Sequence, residues 1–487
     1  MLDIKGKIHD RYTLEFKVGY SRYSSSAAVN EFMMDTWIFV PDPLYINAKT
    51  YSKNNFYRDF RALTRLITPV YTLEEVAEPR VLPLARLHEC CSGLAENPNE
   101  ENEKAYEHQI KMFASITRSA LRKAVNELYA LSDASLFRKS LDQVVADLRR
   151  ILKSYREIPA RTGLDRVDYE LRSRYSLGEE YLCRVIDMHL FRILEYAQSH
   201  FLPDYRNVAE SAINFLDEEL DYQRRCRFLL PEDGKQEINR SFLHRTGQLK
   251  KYIESDLYIL SDKKSNVFFW QQVFFMIAAG LSMVFATVIS FSFQQTYGNF
   301  TLPLFIALVV SYMFKDRIKD LMHYWFANKL GSKFYDYKMK LALHGDAVGW
   351  AKEGCDFVNE EKLPYEIRAQ RGRVSELEAG YCALRETVLV YRRRVSILGK
   401  QLRRLSHFPL EGLNDIIRIN LRDFLRRMDS PHVPVYINEG QGDFHIQQAE
   451  KVYYLHFVIR YRYQGKTGYK RFRVGLTRRG IMDLMEW

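Results

Sequence analysis

Hydrophobic and polar positions change period several times along this chain. Near the start, Tyr12, Leu14, Phe16, Val18 and Tyr20 alternate with Thr13, Glu15, Lys17 and Gly19, the two-residue period of a half-buried antiparallel strand. Phe32 to Val40 reads as a second strand that stops at Pro41-Asp42-Pro43. Residues 1–55 are therefore expected to form an N-terminal β segment. Beyond about residue 55 the period lengthens. Ile110, Phe113, Thr117, Leu121, Ala124, Leu128 and Leu131 trace one helical face, and Tyr181, Leu182, Val185, Ile186, Leu190, Ile193, Leu194 and Ala197 trace another. Prolines punctuate these segments, which predicts a helical cytoplasmic domain over 56–264. Its last helix, about Lys235 to Leu260, is expected to lead toward the apolar region that follows.

Between Lys264 and Lys315 no side chain carries a charge. The first apolar stretch, Val267 to Phe293, would span roughly 40 Å as a helix, more than the roughly 30 Å of a bilayer's hydrocarbon core. A shorter one, about 299–314, follows the polar connection Gln294 to Asn299. The pattern predicts a two-helix transmembrane hairpin over 265–315. Lys263, Lys264, Lys315, Arg317 and Lys319 flank it and would anchor at lipid headgroups. The connection has no Lys or Arg, so the positive-inside rule puts both termini in the cytoplasm, with two passes of the plasma (inner) membrane. Ala278, Ser282, Ala286 and Ser290 recur every four residues as a ridge for close helix packing, either within the hairpin or between protomers.

After the hairpin, Ile318, Leu321, Met322, Trp325 and Phe326 share a helical face, so 316–363 reads as a juxtamembrane helical region. Val374, Leu377, Tyr381, Leu384, Val388, Tyr391, Val395, Leu398, Leu402 and Leu405 are spaced three and four apart, a coiled-coil seam surrounded by basic residues. With an amphipathic helix at Leu413 to Met428, this segment occupies 364–430. Over 431–487 alternation returns. Leu455, Phe457, Ile459 and Tyr461, then Phe472, Val474 and Leu476, predict a hairpin around Gly465-Lys466-Thr467-Gly468. A four-residue loop would stack Arg462 on Arg471 and Arg460 on Arg473, leaving one apolar face and one four-arginine face. The fold class that results is an α+β membrane protein with a mostly helical cytoplasmic region, a transmembrane hairpin, a coiled-coil helix and a small C-terminal antiparallel β unit.

Charge sharpens this picture. Of the net +11, residues 365–487 hold 23 Lys/Arg against 13 Asp/Glu, a local +10. An excess on that scale points to an acidic partner, namely nucleic acid, anionic lipid or an acidic protein. Six cysteines without Cys-x-x-Cys spacing argue against a disulfide scaffold or structural zinc. Met1 to Arg11 lack the apolar run of a cleavable signal.

Catalytic signatures are missing. Gly465-Lys466-Thr467 has Arg460 where a phosphate-binding loop needs its first glycine, Gly440-Gln441-Gly442 lacks the third glycine of a dinucleotide fingerprint, and His88-Glu89-Cys90-Cys91 has no second ligand pair. No catalytic residue, metal or cofactor is expected, and the chain reads as a non-enzyme. The leading expectation is an oligomeric, membrane-anchored scaffold or sensor that recognises a protein partner or a second copy of itself. The alternatives are a membrane-permeabilising effector, as in bacterial anti-phage defence, and a nucleic-acid or anionic-lipid binder using Arg460, Arg462, Arg471 and Arg473.

Overall fold

A computed structural model describes residues 2–21, 29–265, 267–299, 301–325, 335–343, 345–372, 386–405, 408–409, 412–440, 442–463 and 465–486. The chain divides into two compact units, one formed by 1–64, 260–404 and 414–487, the other by 65–259 and 405–413.

The first unit is a β-sandwich. Its strands are β1 (Leu2–Asp10), β2 (Thr13–Ser21), β3 (Asn30–Pro41), β4 (Phe60–Leu66), β5 (Leu260–Ser265), β6 (Tyr337–Leu343), β7 (Asp346–Val358), β8 (Glu386–Ile397), β9 (Gly412–Asn420), β10 (His432–Gly440), β11 (Asp443–Glu450), β12 (Tyr453–Tyr463), β13 (Lys466–Thr477) and β14 (Gly480–Glu486). Eight of them form one sheet in the order β14-β13-β12-β3-β8-β7-β6-β5, four form a second in the order β1-β2-β9-β4, and β10-β11 stand apart as a two-stranded ribbon. The two large sheets face each other. Phe16 of β2 meets Phe457 and Phe472 of the larger sheet at ring centroid distances of 5.3 and 5.0 Å.

The second unit is a helical bundle. A short helix, α1 (Lys53–Asp59), precedes it within the sandwich, and the bundle is built from α2 (Leu73–Ala77), α3 (Leu82–Glu96), α4 (Glu100–Tyr129), α5 (Ala134–Thr162), α6 (Tyr169–His200), α7 (Tyr205–Val208), α8 (Glu210–Arg225) and α9 (Gln236–Glu254). Ile110, Phe113, Leu121 and Leu128 of α4, with Leu182, Ile186, Leu190 and Ile193 of α6, are buried. Amphipathic stripes of this kind bury against one another and supply most of a helix's stability. One half-buried cation joins three helices: Arg156 bonds Glu179 at 2.9 Å and Glu219 at 2.6 Å, with its guanidinium 3.6 Å from the Tyr222 ring centroid.

Two long helices, α10 (Val267–Tyr297) and α11 (Leu302–Trp325), are inserted between β5 and β6. Three short ones follow: α12 (Tyr365–Arg371), α13 (Gly399–Leu405) and α14 (Arg422–Leu425).

Several expectations from the sequence are corrected here. The two-helix transmembrane hairpin is not supported. Only α10, over Gln272–Tyr297, is long and apolar enough to cross a membrane among the described residues. The second helix does not end near Phe314. It runs on to Trp325 and carries Lys315, Asp316, Arg317, Lys319 and Asp320 in its second half, too many charges for a span of that length. Nor does α9 run into the apolar region, because it ends at Glu254 and β5 intervenes.

The juxtamembrane helical region holds two strands, β6 and β7, beyond α11. The coiled-coil helix is replaced by β8 over Glu386–Ile397 and by the short α13, while Val374, Leu377, Tyr381 and Leu384 lie outside the described residues. In β8 both faces are covered, and Val388, Leu389, Val390 and Tyr391 are all buried. Consecutive apolar residues satisfy a heptad seam and a doubly covered strand equally well, so spacing alone misled. Leu413 to Met428 is likewise β9 and then α14, not one amphipathic helix. The C-terminal strands are no separate small unit either, since β12, β13 and β14 continue the same sheet as β3 and β8.

Candidate functional site

Alternation in a strand sends odd and even residues to opposite faces, so the eight-stranded sheet has an inner face, toward the second sheet, and an outer face. On the inner face Arg393 is buried. It bonds Asp415 of β9 at 2.7 Å, pairs with Glu353 of β7, and donates to Thr64 of β4 at 3.0 Å. Tyr20 donates to Asp415 at 3.0 Å and Tyr391 to Glu353 at 2.9 Å. Burial opposes the Arg393 charge, but Asp415, Tyr391 and Glu353 outweigh it, and its pKa lies well above the ordinary arginine value. Lys263 also turns to this side. It lies 3.5 Å from Glu353 and 4.5 and 4.0 Å from the Tyr57 and Tyr337 ring centroids. Arg393 therefore faces two carboxylates in the sandwich interior, and Lys263 reaches Glu353 from an exposed position.

The outer face carries the other charged residues. Cross-strand register aligns Lys264 with Lys338, Lys338 with Lys352, Lys352 with Arg394, Arg394 with Met33, and Met33 with Arg462. Five cations thus occupy six adjacent positions in one row across β5, β6, β7, β8, β3 and β12. At ~4.8 Å per strand the row extends roughly 24 Å. Lys264, Lys338 and Arg462 are exposed, and Lys352 and Arg394 are half-buried. Acidic side chains reach only part of it. Arg394 bonds Glu31 at 2.7 Å, and Lys264 lies 3.7 Å from Asp262. Lys338, Lys352 and Arg462 make no ion pair among the described residues. Lys352 is held below the ordinary lysine pKa by partial burial and by Lys338 and Arg394 beside it.

The four arginines expected to form one stacked face are arranged differently. Tyr463 pairs with Lys466, so only two residues connect the strands, and Gly465 has φ 75°. That shorter turn shifts the register. Arg460 faces Tyr469, Arg462 faces Thr467, and Arg471 and Arg473 face Val458 and His456. No arginine sits directly across from another. Arg460 is neutralised by Asp35 at 2.6 Å and lies 5.0 Å from the Trp37 ring centroid. Arg471 donates to the Gln370 carbonyl at 3.3 Å, and Arg473 lies 4.9 Å from the Tyr454 ring centroid.

Part of the outer face is dry as well, because Leu363 and Ile367, at and before α12, pack on Trp37, Phe39, Val388, Val390 and Val458. Burial, with Arg371 and Arg473 alongside, drives the His456 pKa down to about 3. Only Arg462, of the four, stands exposed and unpaired in the row.

No family model, no characterised protein and no solved structure matches the chain. Its own geometry carries the functional argument.

In α10 the ridge residues Ala278, Ser282 and Ala286 are buried, as are Ala307 and Ser311 of α11, and Ser290 is half-buried. The ridge is used in packing the two helices on each other. Of the remaining headgroup candidates, Lys315 lies 4.3 Å from the Tyr312 ring centroid, and Arg317 and Lys319 are exposed on the charged half of α11. Among the described residues no group of three His, Cys, Asp or Glu is placed to hold a metal, and Gly465-Lys466-Thr467 is a hairpin turn entering β13.

Sequence reasoning found the two ends of the cationic row, Lys264 and Arg462, and missed Lys338, Lys352 and Arg394 between them. One local signal was available: Lys338, Met339, Lys340 and Leu341 alternate, which marks a strand with a basic face.

Proposed function

We propose that this chain is a membrane-anchored protein, held by α10, that presents the outer face of its large sheet to an anionic partner. The reading rests on the outward flank of α10, where Met276, Leu281, Val284, Val288 and Phe291 are each more than half exposed. A continuous apolar flank of that size marks an interaction surface or a lipid contact. Gln272–Tyr297 rises roughly 39 Å, enough to be held within a hydrocarbon core of roughly 30 Å. Because β5 and β6, which flank the two long helices in the chain, pair in one sheet, the anchor leaves the whole sandwich on a single side of the membrane. A scaffold or sensor role fits a chain with a large presented surface. The permeabilising alternative loses its motivation, because the small-residue ridge that would gather several copies is occupied by α11.

Flotation of the purified full chain with phosphatidylcholine vesicles tests this reading. Wild type should rise with the vesicles. A variant carrying Leu281→Asp, Val284→Asp and Val288→Asp, all exposed positions, should stay in the dense fraction. Wild type left at the bottom, or a variant that floats equally well, would overturn it.

A further inference from the structure

We infer that the row Lys264, Lys338, Lys352, Arg394 and Arg462 is a binding site for the phosphates of anionic lipid headgroups beside the membrane anchor. The inference rests on the anchored reading above and adds the ligand.

Three observations carry it. First, like charges directly across neighbouring strands destabilise a sheet, and this sheet sets four in consecutive register, Lys264 to Arg394. Acidic partners reach the row only at Asp262 and Glu31. An external anion would relieve what the protein leaves uncompensated, most of all at Lys352, whose charge is already disfavoured by its neighbours.

Second, one end of the row lies where the chain leaves the sheet for the membrane helix. Lys264 is three positions before Val267, the first residue of α10, and β5 ends at Ser265 opposite Tyr337. Lys264 and Lys338 are thus one residue in from the strand ends at which α10 departs, while β7, β8, β3 and β12 run on past the row on that side to Val358, Glu386, Pro41 and Tyr453. Cations next to a membrane-embedded helix meet the headgroup layer, where each Lys or Arg is attracted by anionic lipid.

Third, the surface suits lipid better than single-stranded nucleic acid. Base stacking needs open aromatic faces. Trp350 and Tyr335, both near the row, are half-buried, and Lys352 and Arg394 lie 4.9 and 5.8 Å from the Trp350 ring centroid. Those cations occupy the ring that a base would need.

The test compares vesicles of phosphatidylcholine alone with vesicles containing phosphatidylglycerol, using wild type and the double variant Lys338→Gln/Lys352→Gln. Neither replaced side chain makes an ion pair among the described residues, so the ion pairs described above are kept. At low salt wild type should bind the anionic vesicles more tightly than the neutral ones, and 0.5 M salt should largely erase the difference. The double variant should lose roughly fivefold of that preference per residue removed while still floating with neutral vesicles. Equal preference in wild type and variant would overturn the inference and leave the anchor reading standing; failure of wild type to float with any vesicle would overturn the anchor reading instead. A single-stranded oligonucleotide that binds the wild-type row and displaces the anionic vesicles would also overturn it, by assigning the row to nucleic acid.

Discussion

Arg393 touches residues from three strands besides its own, through Glu353 on β7, Thr64 on β4 and Asp415 on β9. Two of these, β4 and β9, belong to the opposing sheet, so one guanidinium ties the sandwich layers together. A buried ion network adds little over well-packed apolar residues, but removing one partner leaves charges stranded. Replacing Arg393 by Met is expected to cost ~3–5 kcal/mol, because Glu353 and Asp415 stay buried without their cation. Tryptophan fluorescence in urea measures this without a signal from the helical bundle, since all five tryptophans, Trp37, Trp270, Trp325, Trp350 and Trp487, lie outside 65–259, and Trp37 and Trp350 lie in strands of the large sheet.

His456 gives a pH signature in the same unit. Its folded pKa of about 3 lies below the value near 6.5 of a free imidazole, so the unfolded chain binds the extra proton between those limits. The sign follows directly: this contribution is fully present above pH 6.5 and is lost as pH falls toward 3, by ~4 kcal/mol in all. The urea midpoint should therefore fall on acidification below pH 6.5. His456→Gln, neutral throughout, should make that part of the profile flatter, and an unchanged slope would contradict the burial of the ring.

At the scale of elements, the clearest lesson comes from β8. Its run Arg392-Arg393-Arg394 sits beside apolar residues spaced like a coiled-coil seam, and in a helix all three arginines would be solvated. In the strand Arg393 points inward to Asp415, while Arg392 and Arg394 take the outer face, aligned with Asp35 and Met33 of β3. No local pattern announces a buried arginine, because its partners come from residues 64, 353 and 415.

Where one face is wet and the other dry, the period is readable, as in the alternation of Tyr12 to Tyr20 that forms β2. Bundle helices announced themselves through long 3.6-residue stripes such as that of α6. The cationic row was invisible for another reason. Its members come from strands between residues 33 and 462, and only the register of six strands makes them neighbours. The hairpin between Tyr463 and Lys466 shows how strongly register depends on the turn, since a loop shorter by two residues separates both arginine pairs.

Strand pairing at β8 can be checked by chemistry. Met33 and Arg394 are direct partners on the outer face, where Cα atoms sit about 4.5–5.5 Å apart, within disulfide reach. Met33→Cys/Arg394→Cys should cross-link under mild oxidation, detected as a joined peptide pair by mass spectrometry. A helix over 386–397 would leave the two thiols without a consistent partner geometry, and no joined pair would form.

For the whole molecule, charge and apolarity are segregated by the fold in a way that bulk composition hides. Part of the basic excess of 365–487 is consumed by acids from elsewhere in the chain: Arg393 pairs with Glu353, Arg418 with Glu15, and Arg460 with Asp35. The outer row in turn draws three of its five cations, Lys264, Lys338 and Lys352, from before residue 365. Apolar exposure is concentrated in the same way on α10 and the first half of α11, with Phe305, Ile306 and Met313 each more than half exposed. Both features meet where β5 gives way to α10, and anchoring there would set Lys264 and Lys338, at that end of the row, nearest the headgroups.

Extraction of native membranes with alkaline carbonate tests the anchor most directly, because high pH strips proteins held by charge and leaves those held by apolar insertion. The full chain is predicted to stay with the membrane pellet, and the Leu281→Asp/Val284→Asp/Val288→Asp variant to be released. Recovery of the wild-type chain in the alkaline supernatant would contradict the account.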